Sequence, residues 1–235
     1  MIYAMGIISI VLLSIVLGPF IIPDTLWPQT ARDFLQHNGL NDTGASNLVS
    51  AIYLGYRAYD TIGETIVLLA AVTGALYLIK SLPMTHTGSM ESRPELKGKT
   101  TIIGVTTGKL APVVMLFGWY VMFFGHLSPG GGFQGGVVLA SGMLFIALGR
   151  EGYRGESKLN NQGFHLIEVL SLWFIIVLVC IPLVFGASIL ENPFTRIDEI
   201  MPRVIYVIGF NMAIGLKVAS GLTLLGLLMM DMTHD

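Results

Sequence analysis

Four charged side chains stand inside long apolar stretches of this 235-residue sequence: Glu64, Lys109, Glu168 and Lys217. A charge in the hydrocarbon of a bilayer is expensive, so each marks an ion or proton path or an ion pair with another helix. Lys217 is the deepest. At four-residue spacing it continues Gly209, Ala213 and Gly221, a small-residue stripe of the kind that lets helices pack closely. Its ammonium therefore faces protein, either paired permanently with a carboxylate of another helix or acting in a relay. Lys109 lies about two turns, roughly 10 Å, inside its stretch, three residues before Pro112. That proline leaves the Gly108 carbonyl without its helical donor, which fits a hydrated pocket beside the ammonium; snorkelling to the interface is the alternative. Glu168 is one turn into its stretch, with His165 three residues earlier on the same face. They read as the mouth of a proton path, since histidine ordinarily titrates near neutral pH, or as an interfacial acid–base pair. Arg57, Asp60 and Glu64 recur at three and four along one helical face. Arg57 and Asp60 suit a solvated face, whereas Glu64 enters the membrane and needs a partner or a proton.

The elements that must position these groups are transmembrane helices. The chain is 53% hydrophobic and 12% charged, with mean hydropathy +0.72, whereas soluble domains carry about 25% charged residues. A net charge of −2 gives no basic surface for nucleic acid. Six stretches approach the ~20 apolar residues that span a bilayer: Ile2–Ile22, Thr61–Ile79, Ile102–Phe124, Gly132–Gly149, Phe164–Ala187 and Val204–Met230. The first has no basic residue before it and no small-residue cleavage site, so it reads as a span rather than a signal peptide. The expected fold class is all-α: a polytopic membrane protein with six transmembrane helices, two plus four. Residues 1–81 form the two-helix unit, the polar stretch 82–100 a cytoplasmic linker, and 101–235 the four-helix unit. No internal repeat is present, which speaks against a self-sufficient transporter.

Basic residues orient the chain. Lys80, Arg93, Lys97, Lys99, Arg150, Arg154 and Lys158 fall on one side, and Arg32, Arg57, Arg196 and Arg203 on the other. The positive-inside rule then places both termini in the cytoplasm of a multi-pass protein of the cell (inner) membrane.

Between the third and fourth spans runs Gly125-His126-Leu127-Ser128-Pro129-Gly130-Gly131-Gly132-Phe133-Gln134-Gly135-Gly136. No Lys-Ser/Thr follows, so it is not a phosphate loop. Glycines at this density allow close backbone approach, and backbone at bilayer depth must be covered by protein or line water. Gly130, Gly131, Gly132, Gly135 and Gly136 are thus expected to pack against a neighbouring helix of this chain or another. His126 is expected to bond across the turn, with ion coordination the weaker alternative. The lone cysteine, Cys180, excludes a disulfide scaffold and an iron–sulfur cluster, and His126 and His165 lie near opposite faces, which excludes a bis-histidine haem. No cofactor, metal site or catalytic group is expected in this chain.

These residues carry a resemblance. GHLSPGGGFQGG resembles the glycine hairpin of the B subunit of Mrp-type multisubunit Na⁺/H⁺ antiporters, and Asn211-Met212-Ala213-Ile214-Gly215-Leu216-Lys217 resembles that family's last span with its intramembrane lysine. The likeness covers roughly residues 100–234. Tyr59-Asp60-Thr61-Ile62-Gly63-Glu64 is similar to a segment near the carboxyl end of the Mrp A subunit, although Leu54–Arg57 holds no acid where that pattern often has one. In energy-converting membrane-bound hydrogenases and related ferredoxin-linked complexes, that end is a separate small subunit. The resemblance implies a non-catalytic subunit of an ion-translocating module, with other membrane subunits as partners and Na⁺ and H⁺ as the transported ions. Glu64, Lys109, Glu168 and Lys217, with Asp60 and His165, would then line or tune the path. A subunit of a stand-alone antiporter, or a purely structural spacer, remains an alternative.

Overall fold

The structure, a computed structural model, describes residues 30–81, 97–154, 161–196 and 202–234. The expected first span, Ile2–Ile22, lies outside the described residues, as does most of the expected linker. The chain divides into two units at Phe34–Leu35. Of the first unit only Thr30–Phe34 are described, as the opening residues of helix α1 (Thr30–Thr43). All else concerns the second unit.

Among the described residues the second unit is helical, without strands. After α1 come one turn of α-helix, α2 (Leu48–Ser50), and a π-helix (Ala51–Tyr56). The long helices follow: α3 (Ala58–Ser81), α4 (Lys97–Phe123), α5 (Gly132–Arg154), α6 (Asn161–Val184) and α7 (Val204–His234). Each is long and apolar enough to cross a membrane, over Ala58–Ile79, Ile102–Phe123, Gly132–Gly149, Gln162–Val184 and Val204–Met230. The fifth expected stretch stops three residues early. Gly186 takes a left-handed φ of 67°, and the Ala187 N–H closes on the Pro182 carbonyl at 3.0 Å, a Schellman stop.

Helix α7 is the centre. Half of its apolar stretch is buried, against 11% in α3 and α4. It packs on α3, α4, α5 and α6, while α4 and α5 form an antiparallel hairpin of their own. The main core joins Leu54 of the π-helix, Ile175 and Leu178 of α6, and Tyr206, Phe210, Ile214 and Val218 of α7. Tyr206 also donates to the Leu178 carbonyl at 3.0 Å.

Sequence spacing suggests that the second span continues straight back to Ala51. Instead the helix widens there. The Arg57 N–H bonds the Ile52 carbonyl at 2.8 Å, five residues back, which inserts an extra residue into the turn. The Tyr53 carbonyl, freed from its helical donor, accepts the Thr61 hydroxyl at 2.5 Å.

Candidate functional site

Lys217 lies about three and a half turns into the apolar stretch of α7 that begins at Val204, and its side chain is wholly buried. Its ammonium donates to Glu168 Oε1 of α6 at 2.5 Å, and the Glu168 side chain is only 12% exposed. The second Glu168 oxygen faces His165 Nδ1 at 3.8 Å, and the His165 side chain is 53% exposed. The three groups form a line from the bundle interior to its surface. Small residues make the line possible. A Cβ on Gly221, one turn beyond Lys217, would lie 3.5 Å from Glu168 Oε1 and 3.7 Å from Val72 of α3. Gly209 likewise faces Leu178 of α6. The stripe of Gly209, Ala213, Lys217 and Gly221 is therefore the surface α7 turns toward α6 and α3.

The other intramembrane charges are not brought to this line. Glu64 and Lys109 are both exposed, and neither side chain makes an ion pair with the described residues. Asp60 pairs with Arg57, both largely exposed. Pro112 lies within α4 without ending it.

The glycine hairpin forms a second polar region, and here residues absent from the sequence-based candidates do the holding. Asn47 Nδ2 donates to the Gly125 carbonyl at 2.8 Å and to the Ser128 carbonyl at 2.9 Å. The Ser50 hydroxyl also reaches the Gly125 carbonyl, at 2.5 Å, and the Asn47 N–H reaches the His126 carbonyl at 2.9 Å. On the far side, Asn211 Oδ1 of α7 accepts the Gly132 N–H at 2.9 Å and the Tyr53 hydroxyl at 2.8 Å. Because Gly132 N–H can only donate, that bond fixes which way the Asn211 amide points. Burial pushes the Tyr53 phenol above its ordinary value, partly offset by its hydrogen bonds with Ser50, Asn211 and Gly132, so the hydroxyl remains a donor. His126 Nδ1 lies 2.9 Å from the Phe123 carbonyl, a local bond at the end of α4.

Behind these bonds is a glycine seam between α5 and α7. A Cβ on Gly132 would sit 2.6 Å from the Asn211 carbonyl oxygen, and one on Gly136 would sit 2.6 Å from the Gly215 carbonyl oxygen. Both neighbours are backbone, so any side chain would force the helices apart. Gly125, Gly130, Gly131 and Gly135 also lie in close contacts within the hairpin and at its entry into α5. Among the described residues no three His, Cys, Asp or Glu side chains converge as metal ligands would.

Asn211 stands in an apolar span and was open to the same rule that singles out Lys217. Asn47, Ser50 and Tyr53 carry no such signal, because their partners are backbone carbonyls and a distant amide.

Comparisons with known proteins place this geometry in context. Residues 102–224 match the family described as a domain related to the MnhB subunit of the Na⁺/H⁺ antiporter. An uncharacterized protein of Methanocaldococcus jannaschii is 29% identical over 196 residues, covering 75% of this chain and 74% of that protein. A putative antiporter subunit, mnhB2, of Staphylococcus aureus is 27% identical over 99 residues, 41% of this chain and 68% of that protein. The fold matches a chain of the membrane-bound sulfane sulfur reductase, an archaeal respiratory membrane complex, with TM-score 0.69, 24% identity and 95% of both chains covered. It also matches a chain of the Mrp complex from Dietzia with TM-score 0.68 and 17% identity, over 96% of this chain but 26% of that one.

Proposed function

Because this chain belongs to the family of domains related to the MnhB subunit of the Na⁺/H⁺ antiporter, we propose that it is a membrane subunit of the cation- and proton-translocating module of a large energy-converting complex. The complex would be of the membrane-bound hydrogenase or related ferredoxin-linked type. In this reading the chain sits in the cell membrane with both termini cytoplasmic, and carries no redox chemistry itself.

The observation that carries the reading is the Lys217–Glu168 pair, wholly buried on one side and reaching His165 at the surface on the other. A pair buried this deeply adds little stability over two well-packed apolar side chains. Two leucines would hold α6 to α7 as well, so the charges call for another role. Proton handling supplies it. A proton entering from the aqueous side past His165 reaches Glu168 through an intervening water, because the 3.8 Å between His165 Nδ1 and the carboxylate is too long for direct transfer. A neutral Glu168 no longer holds the ammonium, and the released charge of Lys217 shifts the protonation of carboxylates on partner helices. Return of the proton restores the pair.

Overlap in length supports the respiratory type of complex: this chain and a chain of the sulfane sulfur reductase cover 95% of one another. The likeness to the S. aureus antiporter subunit supports the alternative of a stand-alone antiporter. Purifying the complex through a tag on this chain separates them. Co-purified iron–sulfur proteins, visible by absorbance, are expected; their absence alongside intact Na⁺/H⁺ exchange would favour the antiporter. For the path itself, Lys217→Ala in the assembled complex should abolish ion translocation. Unchanged translocation would make Lys217 structural.

A further inference from the structure

We infer that Asn211 holds a bound water molecule inside the bundle through its side-chain amide nitrogen. The site is separate from the Lys217–Glu168 line. Six residues apart at 3.6 residues per turn, the Asn211 and Lys217 side chains leave α7 roughly 120° from one another.

Asn211 is wholly buried. It is the eighth residue of the apolar stretch that begins at Val204, about 10 Å in. Its Oδ1 accepts the Gly132 N–H at 2.9 Å and the Tyr53 hydroxyl at 2.8 Å. Turning the amide over would set Nδ2 against the Gly132 N–H, donor against donor. The orientation is thereby fixed, and it leaves Nδ2 buried with no hydrogen-bond partner among the described residues. A buried amide donor gives up its hydration on folding, and native interiors almost always return an acceptor, from protein or from ordered water.

The surroundings decide which acceptor this is. With no exposed surface, Asn211 is out of reach of lipid and of a partner subunit. The polar groups beside it are neutral: the Gly132 N–H, the Tyr53 phenol and, beyond that phenol, the Ser50 hydroxyl. An anion would find no counter-charge there, and a cation would meet the positive end of an N–H bond. Water is small and neutral, accepts from Nδ2, and has two hydrogens of its own to place. Oxygens to receive them lie nearby. The Ser50 hydroxyl hydrogen goes to the Gly125 carbonyl at 2.5 Å rather than to Tyr53 at 3.4 Å, so the Tyr53 oxygen keeps accepting capacity. Gln134 brings an oxygen to the same neighbourhood, because a Cβ on Gly131 would crowd both the Tyr53 hydroxyl and Gln134 Oε1. Gln134 is exposed, and its side of the hairpin is where water enters.

Cryo-electron microscopy of the intact complex in lipid nanodiscs tests the assignment, at a resolution where other buried waters are visible. Maps are compared between Na⁺ and K⁺ buffers. The expected result is an isolated density peak about 2.7–3.2 Å from Asn211 Nδ2, of the same height in both. A protein oxygen of any subunit at that distance would overturn the inference by supplying the acceptor directly. So would the absence of a peak in a map that shows other buried waters, or a peak whose height follows the cation. Ion flux does not enter this measurement, so its failure removes the water site and leaves the proton path through Glu168 to its own experiment.

Discussion

At Asn211, α7 is held to the rest of the bundle by neutral groups: a backbone N–H, a phenol that stays protonated, and a glycine seam. Six residues further on, at Lys217, it is held by a charge pair that continues to a surface histidine. The first arrangement has no group that changes charge near neutral pH. It fixes distance and register, because the glycines at 132 and 136 leave no room for movement toward α7. The second is built from groups whose attraction disappears when one proton arrives. One helix thus has a rigid anchor and, about 9 Å along its axis, a contact that protons can make and break.

The contrast can be broken from either end. The largest effect is expected from Glu168→Leu alone, which strands a buried ammonium; removing one partner of a buried pair costs about 3–5 kcal/mol. The yield of assembled complex after detergent extraction should collapse, and a normal yield would mean that Lys217 has another acid within reach. Next comes Gly136→Val. Forcing a side chain against the Gly215 carbonyl should destabilise by about 1–3 kcal/mol, lowering yield while each surviving complex still translocates ions. A specific loss of translocation per complex would blur the division into anchor and contact. Tyr53→Phe removes one hydrogen bond to Asn211, worth roughly 0.5–1.5 kcal/mol. It should lower the thermal stability of the purified complex slightly and leave translocation untouched. The smallest effect is expected from His165→Ala, with yield unchanged and translocation at neutral pH altered within about threefold, but with its pH dependence displaced. An unaltered pH profile would remove His165 from the path.

The two regions also differ in how far the sequence reveals them. A lysine amid apolar residues, on a stripe of Gly209, Ala213 and Gly221, declares both its depth and the side it faces, since burial cost and helical period are local properties. Which acid it meets is not local: Glu168 is 49 residues away, and its proximity follows from how α6 and α7 cross. The apolar runs likewise mark five described helices almost to their ends. The anchor is harder to read. Its donors, Asn47, Ser50 and Tyr53, sit in a segment that looks like a connection, and its acceptors are carbonyls that every residue possesses. The π-helix that aims Tyr53 depends on Thr61 capturing a freed carbonyl, for which the sequence carries no period. Lys109 shows the converse. Its depth and Pro112 single it out, yet it is exposed and makes no ion pair among the described residues.

The central claim is that the Lys217–Glu168 contact works rather than merely holds. The double variant Lys217→Met/Glu168→Leu tests it most directly, because both charges are replaced by apolar side chains of similar size and the helices keep a packed contact. Ion flux should be measured in sealed vesicles containing the intact complex, normalised to the amount assembled. The account predicts near-wild-type assembly with flux reduced at least about tenfold, the equivalent of 1.4 kcal/mol or more on the limiting step. Near-wild-type assembly with undiminished flux would contradict it and leave the pair as a structural contact in a spacer subunit.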